Sequence, residues 1–145
     1  MYTLIQTFHS LWAYLVVLVM AFATINALVK LFGKKAFDPK DFRISLLALI
    51  VMHTQLLLGI LLYFVSPYLS AFFEEGLGEI MSNNTLRLYL IEHPVTMLSA
   101  VVFVTIGYSK HKKKLSSKKK FKMLGIFYTL SMLLLLSMIP WKAWL

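Results

Sequence analysis

Cysteine is absent from the 145 residues. That absence removes disulfides, thiolate-held metals, iron–sulfur clusters and covalent c-type haem attachment, each of which needs a thiol. Any cofactor must therefore be held by other side chains. Charge is also scarce: 14% of residues are charged, where a soluble domain carries about a quarter. Carboxylates are scarcer still, six Asp and Glu against fifteen Lys and Arg, for a net charge of +9. No serine, carboxylate pair or metal cage stands at recognisable spacing within the apolar stretches, so a stand-alone enzyme is poorly supported. Internal repeats and low-complexity linkers are absent as well. What is abundant is apolar: 59% of the residues are hydrophobic and the mean hydropathy is +0.76. Water is not the main solvent of such a chain.

Four apolar stretches run from Leu4 to Phe32, Ile44 to Val65, Leu86 to Tyr108 and Met123 to Ile139. Each is near the roughly 20 residues that cross a hydrocarbon core. Each is read as a helix, because an isolated strand leaves its backbone unsatisfied in lipid. The first stretch lacks a basic leading segment and a small-residue cleavage site, and it runs too long for a signal peptide, so it is expected to be a retained helix. The reading is a single all-α domain over residues 1–145, an integral membrane four-helix bundle running up-down-up-down.

The charges orient it. Lys30, Lys34, Lys35, Lys40 and Arg43 flank the first connection, and eight lysines fill the segment from Lys110 to Lys122, while 66–85 has none. By the positive-inside rule the two basic loops are cytoplasmic. Both termini and the loop with Glu74, Glu75 and Glu79 then face outward, with Trp141 and Trp144 as interfacial anchors. The lysines are accounted for by topology and anionic lipid, and no nucleic acid is needed. Pro67 to Ile80 reads as a short amphipathic helix on the outer interface or a lid. With no organelle targeting segment and no outer-membrane strand pattern, a bacterial inner membrane is the expected location.

Ionisable side chains inside a span are costly, so His9, His53 and His93 are the functional candidates. His111, among lysines, is expected to be solvated. His9 and His93 lie one to two turns in from the outer ends of alternate helices, at matching depth. Two level histidines facing each other across a bundle suit the two faces of one porphyrin. Ala13, one turn below His9, and Ala100, two turns below His93, leave room for a macrocycle. Gly59 either does the same or permits close helix packing. Pro94 removes a backbone donor and clashes with the Leu90 carbonyl, so the third helix starts, bends or loosens there. Arg87 is either a propionate partner or an interfacial snorkel. Gln6, Thr7, Thr96 or a backbone carbonyl would fix the ligand tautomer. His53 is expected deeper, beside Thr54 and Gln55. It is read as a structural hydrogen-bonding residue, with Asn26 as one partner, or as part of a cofactor pocket or a quinone or proton path.

The segments Phe8-His9-Ser10-Leu11, His53-Thr54-Gln55-Leu56-Leu57-Leu58-Gly59, Tyr63-Phe64-Val65-Ser66-Pro67 and Glu92-His93-Pro94 resemble small bacterial four-helix membrane proteins labelled as b-type cytochromes. The resemblance covers the whole chain. More distantly the chain looks like one half of a haem A synthase. Gln55, Leu58 and Gly59 match that family's Gln-x-x-Leu-Gly segment, and His9 and His93 fall where its two ligand histidines are expected. Gln6 stands where that family has glutamate and Ser10 where it has arginine, so the resemblance implies the haem-holding scaffold without methyl oxidation.

Taken together, these features lead to the expectation of a membrane b-type cytochrome with one non-covalent, bis-histidine haem b on His9 and His93. It would pass single electrons between a quinol and an outward-facing acceptor, or serve as a subunit of a respiratory complex. Glu92 and Glu79 are the candidate proton acceptors for quinol oxidation. The rival expectation is a cofactor-free accessory subunit, and a transporter using His53 lacks the broken repeat it would need.

Overall fold

A computed structural model describes residues 1–144, with the side chain of Trp144, expected as a second anchor, outside the description. The chain is all-α. Four long helices, α1 (Tyr2–Phe32), α2 (Pro39–Val65), α3 (Asn84–Lys112) and α4 (Ser117–Ser137), are each long and apolar enough to cross a membrane. They pack as an antiparallel bundle in which α1 touches α2 and α4, and α3 touches the same two, so α1 and α3 face each other diagonally. Large apolar side chains such as Leu18, Phe22, Phe64 and Leu133 stand well exposed on the outer faces. Exposed apolar stripes of this kind on a bundle that already has a core are what a lipid-solvated protein presents.

Local chemistry sets the helix ends. Helix α2 starts at Pro39, before the apolar run, because Asp38 caps it: its Oδ1 accepts from the backbone N–H of Lys40 and Asp41 at 2.7 and 3.2 Å. The Asp41 carboxylate accepts in return from the Asp38 N–H at 3.0 Å, closing a reciprocal capping box, and Pro39 occupies the first turn. Helix α4 opens on Ser116 as cap and ends before Pro140, which cannot donate to a continuing helix. The Phe37 N–H donates to Ser117 Oγ at 2.9 Å and ties the two basic connections together.

Helix α3 is interrupted over Leu88–Glu92, where the His93 N–H donates to the Leu88 carbonyl five residues back, a π turn. The cause is Pro94. It has no N–H for the Leu90 carbonyl, and that oxygen accepts instead from Tyr63 Oη on α2 at 3.3 Å. The helix therefore loosens immediately before His93 and continues through it.

The core sits toward the basic connections. On α1 the buried residues begin at Val16 and continue through Met20, Ala23 and Ala27; on α2 they end at Met52. Phe121, Leu124 and Tyr128 of α4 close this core against Ala100, Val101 and Val104 of α3. Gly107 permits the α3–α4 approach, since a Cβ there would stand 2.7 Å from Phe127 Cβ. Buried hydroxyls bond across helices: Tyr128 Oη donates to the Ser45 carbonyl and Ser131 Oγ to the Ala100 carbonyl, both at 2.8 Å. At this end Lys30 Nζ lies 2.7 Å from Asp41 Oδ1, whose carboxylate is fully buried, and Asn26 donates to the same oxygen at 2.8 Å. Asn26 thus serves Asp41 rather than His53.

The 66–83 connection is a chain of short helices, Pro67–Ser70, Ala71–Glu74 and Gly76–Ser82. The single amphipathic helix expected there is broken at Gly76, whose φ of +80° places it in the left-handed region that favours glycine. Ala71 and Ile80 turn inward onto Leu90, and Phe73 and Leu77 turn outward.

Candidate functional site

Beyond Val16 and Met52, toward the termini, the bundle opens into a cavity of about 480 Å³, within the range of small-molecule and cofactor sites. His9 and Ala13 of α1, Gln55 and Gly59 of α2, and His93 and Met97 of α3 line it, with Leu135 and Ile139 at the end of α4. Tyr2, Tyr63, Tyr68 and Tyr89 ring its mouth, the Tyr68 and Tyr89 rings stacked at 5.3 Å.

His9 and His93 approach from the two diagonal helices, their ring centroids 6.3 Å apart and their planes at 71°. Two imidazoles on opposite sides of one metal ion, with metal–nitrogen bonds of about 2 Å and each ring centre about 1.1 Å behind its nitrogen, stand roughly 6 Å apart. The observed separation fits that arrangement.

The rings are held differently. His93 Nδ1 lies 2.8 Å from the Met138 carbonyl. A carbonyl only accepts, so Nδ1 carries the proton and Nε2 of the neutral ring keeps a lone pair. A backbone acceptor behind a ligand imidazole is the usual device for fixing its tautomer. The Met138 carbonyl, just past the end of α4, holds the His93 ring in this manner, a partner that side-chain reading could not assign to a residue. His9 meets Gln55, whose Nε2 lies 3.3 Å from His9 Nε2 and 3.1 Å from the His9 carbonyl. That leaves His9 Nδ1 and Gln55 Oε1 buried with no partner among the described residues. Each such orphan costs about 1–3 kcal/mol, and the cavity holds two of them. Gly59 lies against the His9 ring: a Cβ would stand 3.3 Å from Cε1 and 3.7 Å from Nδ1. The residue leaves space beside an imidazole, in addition to any role in helix packing.

The other candidates lie elsewhere. Arg87 is held by Glu92 Oε1 at 2.9 Å, the Met81 carbonyl at 2.7 Å and Asn84 Oδ1 at 2.9 Å, outside the cavity wall. Its pairing also engages Glu92. Ala100 is fully buried in the core, its carbonyl accepting from Ser131, and it does not line the cavity. Nor does His53. It turns to the α2–α3 seam, its Nε2 3.4 Å from Thr105 Oγ1; Thr105 lies twelve residues beyond His93, about 18 Å of helix rise. His53 therefore sits deeper than His93 and takes no part in the pair.

His111 corrects the sequence reading. Instead of being solvated it is 1% exposed, enclosed by the rings of Phe37, Phe42 and Tyr108 at centroid distances of 5.6, 6.1 and 5.1 Å. Its nitrogens close no hydrogen bond among the described residues. The signal was the helical spacing of Val104, Gly107, Tyr108 and His111, one buried face that the neighbouring lysines mask. No group of three or more metal-ligating side chains occurs among the described residues.

Comparison with known protein families, with curated proteins and with solved structures finds no match to this chain.

Proposed function

We propose that this four-helix membrane protein is a b-type cytochrome that holds one non-covalent haem b between His9 and His93 and transfers single electrons. The observation that carries the reading is the facing pair of imidazoles, 6.3 Å apart across an apolar cavity. The space at Gly59 supports it further. A haem held there would supply reversible one-electron chemistry, with His9 and His93 as the residues that would hold it. The chain's own contributions are separate. His93 offers a lone pair because Met138 holds its proton, Ala13 and Gly59 leave room beside the rings, and the cavity's apolar walls exclude water.

The basic connections orient the protein with Lys34, Lys35 and the 110–122 lysines on the cytoplasmic side. The cavity then lies near the outer face of a bacterial inner membrane, with both termini on the periplasmic side. From there it would carry electrons from a quinol to an outward-facing acceptor or within a respiratory complex.

The test is the reduced-minus-oxidised visible spectrum of the detergent-purified protein, expressed with ample haem. Sharp low-spin b-type bands are expected, lost in His9→Ala and His93→Ala and kept in His53→Ala. A folded, colourless wild-type protein would leave a cofactor-free accessory subunit as the better account.

A further inference from the structure

The two facing histidines are held through different nitrogens. The Gln55 amide crosses from α2 to α1, its Nε2 3.1 Å from the His9 carbonyl and 3.3 Å from His9 Nε2. An amide nitrogen only donates and a carbonyl only accepts, so the two amide protons go one to each. His9 Nε2 is then an acceptor, and the ring proton sits on Nδ1. The proton on the carbonyl is enough to tie the two helices together. The second proton reaches the imidazole itself and covers the lone pair that a metal would take. Gly59, one turn along the same face of α2, lies against Cε1 and Nδ1 of the ring, so this whole edge of His9 is turned toward α2. His93 is the reverse case: the Met138 carbonyl takes its Nδ1 proton and leaves the Nε2 lone pair open.

We infer that Gln55 is the positioning residue of the pair: it holds His9 protonated at Nδ1 with the Nε2 lone pair covered, so that His93 stands ready as a ligand and His9 becomes one only as the amide yields that nitrogen. What takes the lone pair is named by the haem reading above, on which this part rests; the hold of Gln55 on the ring does not depend on it. The hold is also a weak one. His9 Nδ1 and Gln55 Oε1 are both buried with no partner among the described residues, so amide and ring share one bond while each leaves a polar atom unmet, an arrangement that carries its own cost. A clamp with every group paired would resist exchange; this one favours it.

The experiment is ¹⁵N-histidine NMR of the haem-free full-length protein in lipid nanodiscs, as wild type and as Gln55→Leu and Gln55→Met, two apolar side chains of similar size. His9→Phe and His93→Phe assign the signals. In the wild type both rings should be protonated at Nδ1, with His9 Nε2 showing the shift of a hydrogen-bonded acceptor. In both Gln55 variants that shift should be lost while the His93 signals stay where they are, a change that loss of a tie between helix backbones would not produce. Haem b titrated into the same samples should bind about fivefold more tightly to the variants, the equivalent of one hydrogen bond of about 1 kcal/mol no longer given up. A wild-type His9 protonated at Nε2 would overturn the proposal, as would a His9 signal that neither substitution moves, or haem binding that both weaken. The two readings fail separately: a protein that takes up no haem loses the cytochrome assignment, while the nitrogen shifts of the haem-free form still decide the role of Gln55.

Discussion

The two ends of the bundle are built on opposite plans. Toward the basic connections the helices close on a packed core without the cavity of the other end: Asp41 takes Lys30 and Asn26, Tyr128 takes Ser45 and Ser131 takes Ala100, while Thr24 and His111 are enclosed without a side-chain hydrogen bond among the described residues. Toward the termini the helices diverge around a cavity containing two orphaned polar atoms. The first end resembles a finished core and the second a receptacle. Stability should therefore reside in one half and ligand binding in the other, and each half can be disturbed without the other.

The largest expected effect is at the packed end. Lys30→Met leaves the buried Asp41 carboxylate with Asn26 and a backbone N–H alone. Removing one partner of a buried pair costs about 3–5 kcal/mol; the one-quarter exposure of the Lys30 side chain puts this case near the lower bound, about 3 kcal/mol. It is read as a fall in the thermal or SDS unfolding midpoint, with the spectrum of the surviving folded protein unchanged. Gly59→Leu should do the reverse. A side chain against His9 should weaken haem retention at least tenfold, about 1.4 kcal/mol, measured by transfer of haem to apomyoglobin, at little cost to unfolding. Tyr128→Phe, at the packed end again, should cost about 1 kcal/mol for the lost buried hydrogen bond. His9→Phe, assayed on haem-free protein, should change stability by less than about 1 kcal/mol or raise it, because it removes an orphaned nitrogen. A loss of several kcal/mol there would dissolve the division between the halves.

The smallest effect is an acid one. The Asp38 carboxyl is held below its usual range, first by the Asp41 backbone N–H and then by Lys40 and Lys30. A depressed folded-state value contributes stability above the unfolded value and loses it as pH falls through the folded one. The cap of α2 should therefore hold at neutral pH and loosen below about pH 4. Faster exchange of the Lys40 and Asp41 amides in acid would report it, and Asp38→Asn would flatten the pH dependence.

Much of the fold was legible because lipid imposes length and hydropathy on a span. The helix ends were less so. The apolar run suggested Ile44 as the start of α2, whereas the Asp38–Asp41 capping box sets it at Pro39, a signal carried by polar residues. Pro94 announced a loosened α3, but its form depended on Tyr63 reaching the Leu90 carbonyl from another helix. Residue spacing suggested a paired His9 and His93 and left a backbone carbonyl among the possible partners of the ring, but only the packing of the helices identifies it as that of Met138. His111 was misjudged because which face of a helix turns inward depends on neighbours that a one-dimensional pattern of charged residues does not identify.

The π turn at Leu88–Glu92 also acts as a phase shifter. One extra residue in a turn advances the helix by about 100° relative to a regular one. The stretch bearing Arg87 is thus out of rotational step with the stretch that begins at His93. Arg87 can face the short helix ending at Ser82 while His93 faces the bundle axis, an arrangement that a uniform helix with this spacing would not give. Deleting one residue between 88 and 92 should be absorbed as a regular turn, leaving both flanks helical and Arg87 and His93 no longer able to keep the Met81 and Met138 carbonyls at once.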